Sequence, residues 1–289
     1  MIDFEKGVEK LNKYFGSEVK TTVLYENEIY MLKYPDPVRK KSNALSYMNN
    51  QYSEHIGSLI FKSCGFEVQE TALGYFTDIK GQKKIVVGCK DFTQDGSVLH
   101  EFSKLSSQIE VDGKSGHSIE SVYEIIKQCR FINNGDEVIN KFWDMFIMDT
   151  LIGNPDRHFD NWGLLEKNGD IKFAPVYDCG SSLAALVDDA KMEDLLVNAS
   201  AFKNEEFNLT SCYYINGKRI FYHELYKEPP MDLSNAIKRM VPKIKIDEIS
   251  NLIDAIPTMP DTRKIYLKQA VGLRYSQILV PAFKRIQIT

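Results

Sequence analysis

The sequence predicts an α+β fold in two lobes, a small strand-rich one followed by a larger and mainly helical one. Apolar residues alternate in Thr22-Val23-Leu24-Tyr25 and Ile29-Tyr30-Met31-Leu32, then recur at helical spacing from Ser118 onward. Two Asn-Gly pairs, Asn168-Gly169 and Asn216-Gly217, set tight hairpins among those helices.

The two alternating segments flank the turn-like Glu26-Asn27-Glu28 and form a β-hairpin. After the Pro35-Asp36-Pro37 break, Tyr47 to Cys64 places Ile56, Leu59, Ile60 and Phe61 near helical spacing and stops at Gly65, which suits a left-handed cap. Lys84 to Cys89 has strand composition, and Thr93-Gln94-Asp95-Gly96 reads as loop. A boundary near Phe92 follows, with residues 1–92 in the first lobe and 93–289 in the second. Ser118 caps a helix carrying Val122, Ile125 and Ile126, and a second helix runs from about Asp136 to Leu151. Hairpins pair Trp162–Leu165 with Ile171–Phe173 and Cys212–Ile215 with Arg219–Tyr222, and amphipathic helices fill most of Leu233 to Ile286.

A chain of 289 residues, 43% apolar and 26% charged, can bury its own core without staples. Its formal net charge of −4 argues against a general nucleic-acid binder, which needs a basic excess to displace phosphate counterions. The five cysteines are scattered and form no C-x-x-C pair, as expected of reduced thiols in a cytoplasmic protein. The first residues lack the apolar core of a signal peptide, and the apolar run Phe142 to Ile152 is too short to cross a bilayer and is broken by Asp144 and Asp149.

Polar chemistry concentrates in Gly153-Asn154-Pro155-Asp156-Arg157-His158-Phe159-Asp160-Asn161, directly after an apolar helix. Asn-Pro turns the chain there, so the following side chains stand on a loop anchored by a buried element. Asp156 and Asn161 are five positions apart, the spacing of the Asp base and the magnesium-binding Asn in the protein-kinase catalytic loop. Beyond the next hairpin lies Tyr177-Asp178-Cys179-Gly180, in the place of the kinase D-F-G with Cys179 for Phe. Phosphoryl transfer asks for a magnesium cage of oxygens, a positioned base and a cation on the nucleotide phosphates. Lys33, ending the strand Tyr30-Met31-Leu32, is the candidate cation; Glu54 is its candidate acidic partner, with Glu70 the alternative.

Asn154-Pro155-Asp156-Arg157-His158 with Asn161, followed by Ala174-Pro175-Val176-Tyr177-Asp178, resembles the HipA-like serine/threonine kinases, the kinase toxins of bacterial toxin–antitoxin pairs and their relatives. The resemblance extends from about Gly16 to Asp178 and is to the compact members. It implies a two-lobed protein-kinase-like fold that uses ATP and Mg2+, with Asp156 as base, Asn161 and Asp178 on magnesium, and Lys33 on the ATP phosphates. Val87 to Phe92, with Lys90 and Phe92, would form the hinge that receives adenine, and His158 would shape the catalytic loop. The family's autophosphorylated phosphate-loop serine matches Ser17, in Phe15-Gly16-Ser17-Glu18-Val19-Lys20. The resemblance also implies a protein substrate, with translation-related proteins as the family's example, and a cognate antitoxin partner.

Two other classes compete. A metal-dependent phosphoesterase could gather Asp156, His158, Asp160 and Asp178 around two cations, with no need of Lys33 or a hinge. A catalytically silent nucleotide-binding regulator would keep the fold and lose transfer.

Overall fold

The computed structural model describes residues 1–11, 20–35, 49–106 and 117–288. The expected start of the first helix at Tyr47, the serine at Ser17 and most of the Pro35-Asp36-Pro37 break fall outside them.

The first part of the chain is a six-stranded sheet of β1 (Ile2–Asp3), β2 (Val8–Lys10), β3 (Lys20–Tyr25), β4 (Glu28–Lys33), β5 (Thr71–Thr77) and β6 (Lys83–Lys90). Its order is β1-β5-β6-β4-β3-β2, antiparallel except for β1 beside β5. The expected hairpin is β3–β4, with Tyr25 opposite Glu28, so Glu28 belongs to the strand and the turn is Glu26-Asn27 alone. Both turn residues take positive φ, 49° and 66°, as a two-residue turn matched to strand twist requires.

Strand alternation sorts side chains to two faces. Phe4, Val23, Leu32 and Val86 pack together on one face. Val87 and Cys89 join Tyr52, Ile56, Ile60 and Phe61 of α1 (Asn50–Ser63) in the main core instead. Leu32 enters the small cluster, and its neighbour Lys33, one step along the pleat, meets Glu54 of α1. The main core runs without interruption into the helical part, so α1 is packed by both. The helix ends at Cys64 with Gly65 at φ +90°, as the sequence indicated.

Beyond Phe92, β7 (Val98–Glu101), β8 (Gly163–Lys167) and β9 (Asp170–Phe173) form a second sheet, with Asn168-Gly169 closing β8–β9. The short α2 (Phe102–Ser106) precedes α3 (Ile119–Gln128), whose cap Ser118 accepts from Ser121 N at 3.0 Å. Then comes α4 (Gly135–Ile152), buried throughout from Phe142 to Ile152. Gly153, at φ +66°, terminates it. The Asn216-Gly217 hairpin joins strands Thr210–Ile215 and Lys218–Phe221, and helices Met231–Met240, Ile246–Asp254, Asp261–Arg274 and Val280–Ile288 complete the body. Among the described residues no helix is long and apolar enough to cross a membrane.

Candidate active site

Lys33 is 2% exposed at the end of β4, and its Nζ lies 2.7 Å from Glu54 Oε2 and 2.7 Å from Asp178 Oδ1. A buried ammonium is costly unless paired, and here two carboxylates from separate elements pair it. Glu54 also accepts the backbone N–H of Cys179 on Oε1 at 2.9 Å, so it grips both the lysine and the Asp178 loop. Asp178 holds φ +57°, a left-handed conformation that ordinarily costs about 1 kcal/mol or more and here accompanies its contact with Lys33. Burial pulls its carboxyl pKa up, but the Lys33 ammonium, with Lys20 and Arg157 farther off, outweighs that and holds it down at about 2. Glu70, the alternative partner, stands instead beside Lys90 at 3.5 Å.

The catalytic-loop segment is fastened before it reaches Asp156. Asn154 donates from its side chain to Asp149 Oδ1 at 2.9 Å and accepts the Asp156 N–H at 3.1 Å, while Tyr222 donates its hydroxyl to the Asn154 carbonyl. Asn161 Nδ2 donates to the Asp156 carbonyl at 2.7 Å. A carbonyl can only receive a donor, so the amide NH2 faces Asp156 and the acceptor oxygen Oδ1 is turned elsewhere. His158 spans the loop, with Nδ1 3.3 Å from Asp160 Oδ2 and Nε2 3.3 Å from Asn161 Nδ2 and 3.8 Å from Asp156 Oδ1.

Arg157, to which the sequence reading gave no role, joins these pieces. It is 1% exposed and donates to both Asp149 oxygens, with Nε to Oδ2 at 3.0 Å. It also donates to the carbonyls of Asn161 at 2.9 Å, Tyr177, and Asp178 at 3.2 Å, and its Nη2 lies 3.4 Å from Cys179 Sγ. Asp149 keeps the guanidinium charged despite its burial. One planar fork therefore locks the Asp156–Asn161 loop to the Asp178 loop. Its signal was present as a buried aspartate inside an apolar helix followed by an arginine just past its end.

Cys179 lies against α1 where Gly57 leaves room; a Cβ on Gly57 would stand 2.6 Å from Cys179 Cβ. That crowding explains a small residue where kinases carry Phe, and burial pushes its thiol up to about 12, so it is not a nucleophile.

The Lys90 ammonium is taken by Glu28 at 2.9 Å and by Glu70, outside the triad, because the pleat turns it away from Lys33. Its backbone is engaged too, with the N–H on the Glu70 carbonyl at 2.8 Å and the carbonyl on Gln69 Nε2 at 3.0 Å. Phe92 packs its ring 6.0 Å from Tyr177. Val68, Glu70, Lys90, Asp91, Phe92 and Gln94 line a pocket of about 360 Å³ that neither Lys33 nor Asp178 borders. Asp156, His158, Asp160 and Asp178 do not form a dinuclear cage. Among the described residues no group of three or more His, Cys, Asp or Glu is arranged to hold a metal.

A twisted sheet with one long helix, joined to a helical body and carrying a buried lysine–glutamate–aspartate triad, is the architecture of a protein-kinase-like fold. The chain belongs to the HipA-like kinase family, since its residues 15–244 match the family described as HipA-like C-terminal domain. It is 34% identical over 275 residues to serine/threonine-protein kinase CtkA of Helicobacter pylori strain J99, covering 92% of this chain and 82% of that protein. The fold superposes on the crystal structure of the H. pylori proinflammatory kinase CtkA with a TM-score of 0.88 at 33% identity, over 99% of this chain and 98% of that one. HipA of Shewanella oneidensis MR-1, solved with HipB and its operator DNA, shares the fold at a TM-score of 0.56 and 14% identity, over 94% of this chain and 67% of that one.

Proposed function

We propose that this kinase transfers the γ-phosphoryl group of magnesium-bound ATP to a serine or threonine hydroxyl of a protein. The observation that carries the reading is the Lys33 ammonium held at 2.7 Å from both Glu54 and Asp178, on a loop that Arg157 ties to Asp156 and Asn161. Magnesium is a hard cation that takes oxygen ligands and leaves part of its shell to phosphate. Asp178, ionised far below neutral pH, and Asn161 Oδ1, left free to accept by the amide that donates to Asp156, fit that demand.

When bound, magnesium-ATP supplies the transferable group and spreads the charge that develops on it. Lys33, oriented by Glu54, would hold the phosphates through its ammonium. Asp156, on the fixed loop, accepts the proton of the attacking hydroxyl. Asn161 and Asp178, on two loops that Arg157 ties together, would hold the metal, and His158 keeps the loop in shape. The Phe92 N–H makes no hydrogen bond among the described residues and follows the engaged Lys90 and Asp91, so it is the hinge group open to the adenine edge. The division at Phe92 then separates a nucleotide-gripping lobe, residues 1–92, from a helical lobe, 93–289.

Five free cysteines fit a cytoplasmic setting. The structure of HipA with HipB makes a cognate antitoxin the partner to seek, and the family resemblance makes autophosphorylation at Ser17 the regulation to seek. The test is labelling from radioactive ATP, with casein as a generic acceptor. The wild type should label casein, Asp156→Asn should bind ATP without labelling it, and Asp178→Asn should lose magnesium-dependent ATP binding as well. ATP binding by the wild type with no transfer would favour the silent regulator.

A further inference from the structure

Ser181 stands three residues beyond Asp178 and donates its hydroxyl to Asp156 Oδ2 at 3.1 Å. The turn that carries it is pinned on every side. Cys179 N donates to Glu54 Oε1, and Ser182 bonds the Cys179 carbonyl through both its hydroxyl at 2.7 Å and its N–H at 3.0 Å. Leu183 N then donates to the Ile152 carbonyl at the end of α4, at 2.9 Å. A Cβ at Gly180 would come within 3.2 Å of Glu54 Oε2, so glycine there keeps the turn close against α1.

The two oxygens of Asp156 are therefore unlike. Oδ2 is tethered by Ser181, whereas Oδ1 accepts no hydrogen bond among the described residues and stands 3.8 Å from His158 Nε2, beyond hydrogen-bond reach. The terminal torsion of an aspartate is broad, so an untethered carboxylate half open to water samples many orientations. A hydroxyl on a rigid turn restricts it without occupying the oxygen that an acceptor needs.

We infer that Ser181 is a positioning residue for phosphoryl transfer, fixing the Asp156 carboxylate so that Oδ1 faces the incoming hydroxyl. The inference rests on the proposed role of Asp156 as base. The pinned turn sets Ser181 apart from a phosphoryl acceptor, which must move toward the γ-phosphorus as its bond forms.

The experiment compares wild type, Ser181→Ala, Ser181→Thr and Asp156→Asn for casein labelling, KM for ATP, melting temperature and phosphosite mapping. Ser181→Ala should lower kcat about tenfold, the scale of losing one hydrogen bond to a partly exposed charge, while KM for ATP stays within about twofold. Its melting temperature should not change, Ser181→Thr should restore kcat, and Ser181 should carry no phosphate. Wild-type kcat in Ser181→Ala beside a dead Asp156→Asn overturns the role of Ser181 and leaves the base assignment standing. An active Asp156→Asn, or a wild type that transfers no phosphate, overturns both. Phosphate on Ser181 makes it an acceptor, and a melting loss that Ser181→Thr does not relieve makes it structural support; either result also overturns the inference.

Discussion

Lys33 and Asp178, 145 positions apart in sequence, meet at 2.7 Å, and Glu54 holds the same ammonium from α1 at the same distance. The strand, the helix and the loop are thus joined at one nitrogen.

Replacing Lys33 by Met should abolish casein labelling and also cost stability. Glu54 would be left as an uncompensated charge at 1% exposure, and breaking a buried pair from one side typically costs about 3 kcal/mol. Urea unfolding should show that loss. The double change Lys33→Met with Glu54→Gln should recover part of it, because the orphaned charge is removed. A variant as stable as the wild type would mean that the triad is solvated in solution.

Acid unfolding should follow from the same contact. The Asp178 carboxyl is depressed from 3.8 to about 2 in the folded protein. Such a group contributes stability above its unfolded pKa and loses it as pH falls through its folded one. The contribution is therefore full above about pH 4 and fades toward pH 2. The 34% exposure of its side chain screens it to about 1 kcal/mol. Lys33→Met removes the attraction, so the stability difference between wild type and variant should narrow over that interval. A constant difference would mean that another group carries the acid sensitivity.

Much of this site was legible because its signals are local. Asn168-Gly169 needs positive φ at both turn positions, and Asn154-Pro155 stops a helix, so the loop and its acidic residues could be placed in order. Lys33 and Glu54 were legible as a strand end and the following helix. The strand β5 was not, because Gly74 interrupts its pattern. Gly74 is there for packing, since a Cβ would stand 2.5 Å from the Ile2 carbonyl of β1. The direction of the Lys90 side chain was not legible, because direction along a strand depends on register, and the pleat gives its ammonium to Glu28. Ser181 and the part of Arg157 that ties two loops together were passed over for a different reason: the partners concerned lie 20 to 25 positions away, on another loop.

Arg157→Lys should be far from conservative. Lysine offers one ammonium where the guanidinium reaches Asp149, Asn161, Tyr177 and Asp178 at once. The expected cost is about 3 kcal/mol, with kcat reduced even where the variant remains folded. Arg157→Met paired with Asp149→Leu should be less destabilised than Arg157→Met alone, since the second change removes the stranded carboxylate. Calorimetry of wild type, both single variants Arg157→Met and Asp149→Leu, and the double variant decides it, and additive losses would break the pairing.

Gly57→Ala sets two effects against each other. Alanine in a helix interior is intrinsically favoured over glycine by about 1 kcal/mol. Its Cβ, however, would stand 2.6 Å from Cys179 Cβ, and overpacking of this kind costs about 1 to 3 kcal/mol. The contact also lies one residue from Asp178, so the displaced loop should carry the metal-binding carboxylate with it. Net destabilisation and reduced casein labelling are expected. Cys179→Ala should not relieve them, because the clash is with Cβ rather than sulfur, whereas Cys179→Gly should restore stability to the Gly57→Ala protein. A melting temperature raised by Gly57→Ala would show that helix propensity prevails and that the loop yields without harm.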